Sequence, residues 1–239
     1  GTKASLDRTP ARLRRQIFHG IEAPHQMTSI QCGEVEAVHK VTTQRVYEQQ
    51  LMQVTGQTDI LTMGIPYICP YNVHSIMNPI LVMCTGLGYF FNMYRNKPLV
   101  REGGVIIMTH PTMPEFHPVH HPSYIDFFEQ VLTDTTDPAV IEQRYEKAFA
   151  EDEWYRHLYR TSYAYHGVHP FYMWYWGTHG MSHAARIIIV GGDPKTVRRL
   201  GFTPASTMTD AFELASDVVG RDATVTHLHT PPLVMTEVL

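Results

Sequence analysis

The sequence predicts an α/β fold, a doubly wound, mainly parallel sheet with helices on both faces. Three observations predict it. The wholly apolar runs Val105-Ile106-Ile107-Met108 and Ile187-Ile188-Ile189-Val190 read as strands buried on both faces, as parallel sheets require. Longer segments with helix-start and helix-stop signals separate such runs, giving the order β–α–β–α–α–β–α–α–β. The chain has 239 residues, 44% hydrophobic and 18% charged, enough to cover a sheet on both sides.

The elements follow in order. Residues 1–30 are polar and Arg-rich, with Leu13, Ile17 and Ile21 at helical spacing and Arg8, Arg12, Arg14 and Arg15 on a solvated face. They are expected to form a helical segment ahead of an α/β domain at 31–239. Cys32-Gly33-Glu34 reads as a turn before a helix at 35–51. Gln57-Thr58-Asp59 opens a strand that Gly64 and Pro66 close. After a loop at 67–77, Asn78 and Pro79 supply an N-cap acceptor and an N1 residue that needs no donor partner. The apolar helix they open is predicted to reach Asn96 and to enter the 105–108 strand through a Gly103-Gly104 turn. Pro111, Pro114, Pro118 and Pro122 then forbid regular structure, leaving a stiff loop at the strand's carboxyl end. In open α/β sheets that edge binds ligands. Helices are expected at 123–132 and 137–163, then an aromatic stretch at 163–176. The 187–190 strand closes at Gly191-Gly192, and Asp193-Pro194 caps a short helix. An amphipathic helix at 208–220 carries Ala211, Phe212, Ala215, Val218 and Val219 on one face. A last strand at 223–228 precedes a Pro-containing tail.

Composition narrows the function. A net charge of −4 offers no drive for counterion release, so neither nucleic acid nor an anionic membrane is an expected partner. Cys32, Cys69 and Cys84 are scattered and odd in number, which suits a reducing cytoplasm better than a disulfide scaffold. The longest apolar run, 80–91, is shorter than the roughly 18 residues of a membrane span, and Gly86 and Gly88 interrupt it. There is no signal-peptide pattern. No Gly-x-Gly-x-x-Gly follows a strand, which weighs against a stand-alone nucleotide-dependent enzyme.

Three groups of residues could carry chemistry. His110, His117, His120 and His121 share the proline-rich loop, but their spacing matches no standard metal site, so substrate contact by one or two of them is the alternative to ligation. Trp176 and His179, in the run 174–180, either wall a pocket or fill the core. Tyr94, Arg95 and Lys97 sit at the expected end of the apolar helix. There the cations either complement the helix dipole or hold a carboxylate, Arg95 by a fork and Lys97 as a point charge. Gly191-Gly192-Asp193 reads as a tight turn, because the aspartate occupies the place a phosphate would take.

Four segments in order carry a resemblance: Cys32-Gly33-Glu34-Val35-Glu36-Ala37-Val38-His39, Thr58-Asp59-Ile60-Leu61, Arg101-Glu102-Gly103-Gly104-Val105-Ile106-Ile107, and Leu200-Gly201-Phe202-Thr203-Pro204-Ala205 with Asp210-Ala211-Phe212. Together they resemble the back half of the lactate racemase (LarA-like) family, over roughly residues 30–238. The resemblance implies the C-terminal domain of a two-domain isomerase, a racemase or epimerase acting on a 2-hydroxy acid or related hydroxyl-bearing substrate by hydride transfer. It implies a nickel-pincer nucleotide held by the chain's own N-terminal domain, with the catalytic histidines there too. This chain would then hold neither a catalytic residue nor a metal, bind no cofactor alone, and be inactive alone. Its share is the substrate carboxylate. The family's Tyr-Gln-x-x-Lys group matches Lys97, while Tyr94 stands where the glutamine would be and Met93 where the tyrosine would be. A non-catalytic binding domain that kept the fold is the alternative. The expected substrate contacts are therefore Lys97, Tyr94, Arg95, His110, Trp176 and His179. In a parallel sheet, a residue entering a strand and one leaving it lie at opposite edges, so Lys97 and His110 are not expected to touch.

Overall fold

A computed structural model describes residues 8–21, 27–73, 75–229 and 234–239. The chain divides into two compact units, residues 1–48 and 49–239. In the first, α1 (Ala11–His19) leaves Leu13 and Ile17 half exposed, and α2 (Val35–Gln50) runs across the boundary without a buried residue. The prolines of the expected tail, Pro231 and Pro232, lie outside the described residues, as do residues 1–7.

The second unit is built on a five-stranded, wholly parallel sheet. Its strands are β2 (Thr58–Gly64), β3 (Val100–Thr109), β4 (Arg186–Val190), β5 (Thr203–Ala205) and β6 (Val225–Leu228), in the order β5-β4-β3-β2-β6. The apolar run 105–108 sits in the central strand, as its composition predicts. Alternate side chains supply two cores. Leu61, Met63, Ile106, Met108, Ile187 and Ile189 face one side, and Ile60, Val105, Ile107 and Ile188 the other. Each fully buried Ile or Met contributes ~1.5–3 kcal/mol of transfer free energy. The first side is covered by α3 (79–90), α4 (122–134), α5 (138–151), α6 (Glu153–Thr161), α7 (His169–His183) and α8 (Pro194–Arg199). The second is covered by α9 (Met208–Val219), whose Ala211 and Ala215 are fully buried.

Local chemistry sets the helix ends. Asn78 Oδ1 accepts from the N–H groups of Ile80 and Leu81 at 3.1 Å each. Asp137, Asp152 and Asp193 cap α5, α6 and α8 in the same way. Thr207 and Asp210 form a capping box on α9. Asp152 also explains why the helix expected at 137–163 is two helices.

Three expectations are corrected. The apolar helix stops at Phe90, after a π-helical stretch Cys84–Phe90, and not at Asn96, because Asn92 Nδ2 donates to Gly88 O at 3.0 Å and caps the end. Gly103-Gly104 is not a turn before the strand but a bulge inside β3. Between the pairs Thr58↔Val100 and Ile60↔Val105, β3 advances five residues while β2 advances two. Gly103 takes φ +70°, and a Cβ on Gly104 would lie 2.7 Å from Asp59 O. Two further strands, β1 (Leu51–Val54) and β7 (Met235–Val238), form a separate parallel pair where a helix end and a loose tail were expected.

Asp59 locks the bulge. One carboxylate oxygen accepts from Arg101 Nε at 2.6 Å, and the other from Thr224 N at 2.8 Å and Thr224 Oγ1 at 2.7 Å. The carboxylate thus ties the amino ends of β2, β3 and β6 together.

Candidate active site at the carboxyl edge

The expected site residues fall at two ends of the sheet. Tyr94, Arg95 and Lys97 precede β3 and lie at its amino end, past the helix rather than on it. Helix-dipole complementation is therefore not their role. Residues 93–96 instead clip β7. Thr236 N donates to Met93 O at 3.0 Å, Arg95 N to Thr236 O at 2.8 Å, and Val238 N to Asn96 Oδ1 at 3.0 Å. The Arg95 guanidinium lies 3.4 Å from Glu237. Tyr94 OH meets His179 Nε2 at 2.9 Å, and His179 packs edge-on to Phe91. Lys97 is exposed in the loop. Trp176, 49% exposed, sets its edge against Tyr89, whereas its neighbour Trp174 is fully buried and donates to Thr136 O. Tyr94, Arg95 and His179 therefore form one neighbourhood, with Lys97 beside it in sequence. His110 belongs to another.

His110 leaves β3 at the carboxyl end and is 6% exposed. Its N–H donates to Val190 O, which fixes it against the end of β4. Thr112 N donates to His110 Nδ1 at 2.9 Å, so the ring proton of the neutral imidazole belongs on Nε2. That Nε2 is buried and has no hydrogen-bond partner among the described residues. Burial holds the imidazole down at about 4, neutral at physiological pH. Thr112 achieves this contact at φ 43°, a left-handed conformation rare for a β-branched residue, while fully buried. Its Oγ1 also donates to His110 O. A backbone strained to fix one tautomer, beside a polar atom left without a partner, is the pattern found where structure serves a ligand.

The space is there. A cleft of about 490 Å³ runs along the carboxyl ends of β2, β3 and β4, lined by Gly64, Pro66, Tyr67, His110, Val190 and Gly191. A second depression of about 290 Å³ opens on the other side of Tyr67 and His110, reaching Ser75, Met77 and Glu115. The Tyr67 ring tilts over His110 with centroids 5.0 Å apart and is itself 70% exposed, so a ligand reaching His110 meets an aromatic wall. Tyr67 was not among the residues the sequence singled out. Its place three residues after the strand-ending Gly64 was the available signal.

The other loop histidines do not join His110. His117 and His120 stack at 4.1 Å, and His117 Nδ1 accepts from His120 N. His121 is fully buried, with Nε2 3.0 Å from Tyr71 O, and stacks on Tyr165. Among the described residues, no three His, Cys, Asp or Glu side chains converge so as to hold a metal ion.

Fold and cleft define an α/β domain of parallel-sheet type with a depression at the carboxyl edge of its sheet. Among the described residues, no helix is long and apolar enough to cross a membrane. No family model matches the chain, and no curated protein matches it. Among solved structures it is similar to the lactate racemase apoprotein from Thermoanaerobacterium thermosaccharolyticum, at 16% identity and a TM-score of 0.49. The match covers 87% of this chain and 41% of that one, so the chain spans less than half the length of that protein. The likeness is one of fold.

Proposed function

We propose that this chain is the substrate-binding, C-terminal part of a racemase or epimerase of the lactate racemase type. In this reading the carboxyl edge of its sheet takes a hydroxyl-bearing carboxylic acid, and His110 donates its Nε2–H to a ligand oxygen. The observation that carries the reading is the buried, neutral and unpartnered Nε2 of His110, a residue that lines the cleft. The tautomer is set before a ligand arrives, and the ligand reaches the closed Nε2–H by moving the exposed Tyr67 ring that tilts over His110. The four ordered sequence segments support the family. The work of this chain is to bind and orient, with Tyr67 as the apolar wall and His110 as the donor. The nickel-pincer nucleotide of that family would supply hydride acceptance. The described residues offer no donor set that fits its metal, so the reading assigns the cofactor to the protein's own N-terminal domain and routes no step through these residues.

The test uses the full-length protein with lactate as probe. His110→Asn and Lys97→Ala are each measured for lactate binding by NMR titration and for racemisation. His110→Asn is expected to lose a hydrogen bond to a charged or polar ligand oxygen, about 1–2 kcal/mol or roughly five- to thirtyfold in affinity. Lys97→Ala, at the other edge, is expected to change affinity little. The reverse outcome would return the carboxylate contact to Lys97. Binding without racemisation would favour the non-catalytic binding domain.

A further inference from the structure

The cleft does not end at Gly191. That residue, at φ +76° with open space where a side chain would be, is shared with a third depression of about 340 Å³ that continues to Gly192, Arg198, Pro204 and Ser206. This third depression lies between the carboxyl ends of β4 and β5. The chain leaves β4 toward α8 on one face of the sheet and leaves β5 toward α9 on the other. Both strand ends belong to the carboxyl edge, where open α/β sheets bind ligands, although the strand order itself reverses between β2 and β6. The two regions are built as one. Asp193 N donates to Pro111 O at 2.9 Å, and Gly192 packs where a Cβ would sit 3.3 Å from Thr112, the residue that sets the His110 tautomer.

The charges favour an anion. Arg198 is exposed, and among the described residues the contact its guanidinium makes is to the Pro194 carbonyl at 3.2 Å, with no carboxylate. Arg199 beside it is occupied, bonded to Glu129 at 2.7 Å. The nearby acid, Asp193, accepts from Thr196 N and Thr196 Oγ1 at 2.8 and 2.6 Å, which keeps its charge on the end of α8. Arg198 leaves most of its fork available, and Ser206 adds a hydroxyl.

We propose that Arg198 and Ser206 form an anion subsite of the same cleft, so that the ligand carries a terminal phosphate or carboxylate well separated from the oxygen that meets His110. The inference rests on the His110 reading and adds the ligand's length. Neighbouring strands are about 4.8 Å apart, so from His110 on β3 to the β4–β5 boundary is roughly 7–10 Å. A three-carbon hydroxy acid cannot span that distance. A polyhydroxy compound of five or six carbons with a terminal oxyanion can.

The experiment titrates the full-length protein with lactate, inorganic phosphate, ribose 5-phosphate and gluconate, following the Arg198 and His110 side-chain resonances. Each titration is repeated in Arg198→Gln and in Ser206→Ala, both surface changes that leave the core intact. Ribose 5-phosphate or gluconate is expected to move both side chains, and whichever does so identifies the phosphate or the carboxylate. Arg198→Gln should weaken that ligand by about tenfold or more and leave lactate binding at His110 unchanged. Unchanged affinity for both long ligands in Arg198→Gln, with lactate still moving His110, overturns the subsite and leaves the His110 reading standing. Phosphate moving Arg198 while every ligand leaves His110 silent overturns both.

Discussion

Replacing Asp59 by Asn tests the device that joins three strands at the amino end of the sheet. The Asp59 carboxylate is held down at about 2 against an ordinary 3.8, first by the Arg101 hydrogen bond and then by the two Thr224 donors. At 1.36 kcal/mol per pKa unit this is worth at most ~2.5 kcal/mol. Arg101 is 43% exposed and Asp59 24%, so solvent screening reduces the figure to about 1–1.5 kcal/mol. The sign follows from linkage. A carboxyl whose folded value is depressed adds stability that is fully present above the unfolded value near 4 and is lost as pH falls toward 2. Urea unfolding at a series of pH values is the assay. Asp59→Asn should be about 1–1.5 kcal/mol less stable at pH 7, and the two proteins should converge between pH 4 and pH 2. Equal stability at pH 7, or a deficit that persists unchanged at pH 2, refutes the reasoning.

Three other outcomes follow from the same structure. Gly104→Ala would push a Cβ to 2.5 Å from Val100 Cγ2 and 2.7 Å from Asp59 O, so a loss of about 2–3 kcal/mol by chemical denaturation is expected; a loss below half of that would mean the bulge relaxes freely. His110, His121 and His169 are all held near 4 by burial, so the unfolded chain takes up their protons first and stability should climb between pH 4 and pH 6.5, by up to ~1.4 kcal/mol per pH unit for each histidine. His169→Gln should flatten that slope by about a third in urea titrations, and an unaltered slope would contradict the assignment. Tyr94→Phe removes the 2.9 Å bond to His179 and should cost about 0.5–1.5 kcal/mol of stability, with lactate affinity unchanged; weakened lactate binding would place the ligand at the amino end instead.

The central strands were legible because they are written in apolar letters, whereas the short edge strand β5, Thr203–Ala205, was not foreseen. Ile187-Ile188-Ile189 can only be buried on both faces, and Asn78-Pro79 or Asp193-Pro194 can hardly be anything but helix starts. Elements that depend on distant partners were not legible. Leu51–Val54 and Met235–Val238 are short and only partly apolar, and they become strands by pairing across the length of the second unit. The end of the central helix turned on the side chain of Asn92, a cap that an apolar window hides. The candidate site was half legible. The carboxyl edge and His110 follow from strand direction and from the proline-rich loop. That His110 would be separated from His117, His120 and His121, and its tautomer set by Thr112, could not be read. A threonine at positive φ runs against local preference, and only the packing around it holds it there.

The central claim is that His110, in the wall of the cleft, carries a neutral and unpartnered Nε2–H, and side-chain nitrogen NMR of the histidines in the full-length protein addresses it directly. The account predicts an Nδ1 without a proton and an Nε2–H that survives to pH 5, because the ring does not charge until about 4. It also predicts that this Nε2–H signal moves on titration with lactate. A proton on Nδ1, a ring already charged at pH 6, or a lactate titration that moves Tyr94 and Lys97 while His110 stays still would contradict it.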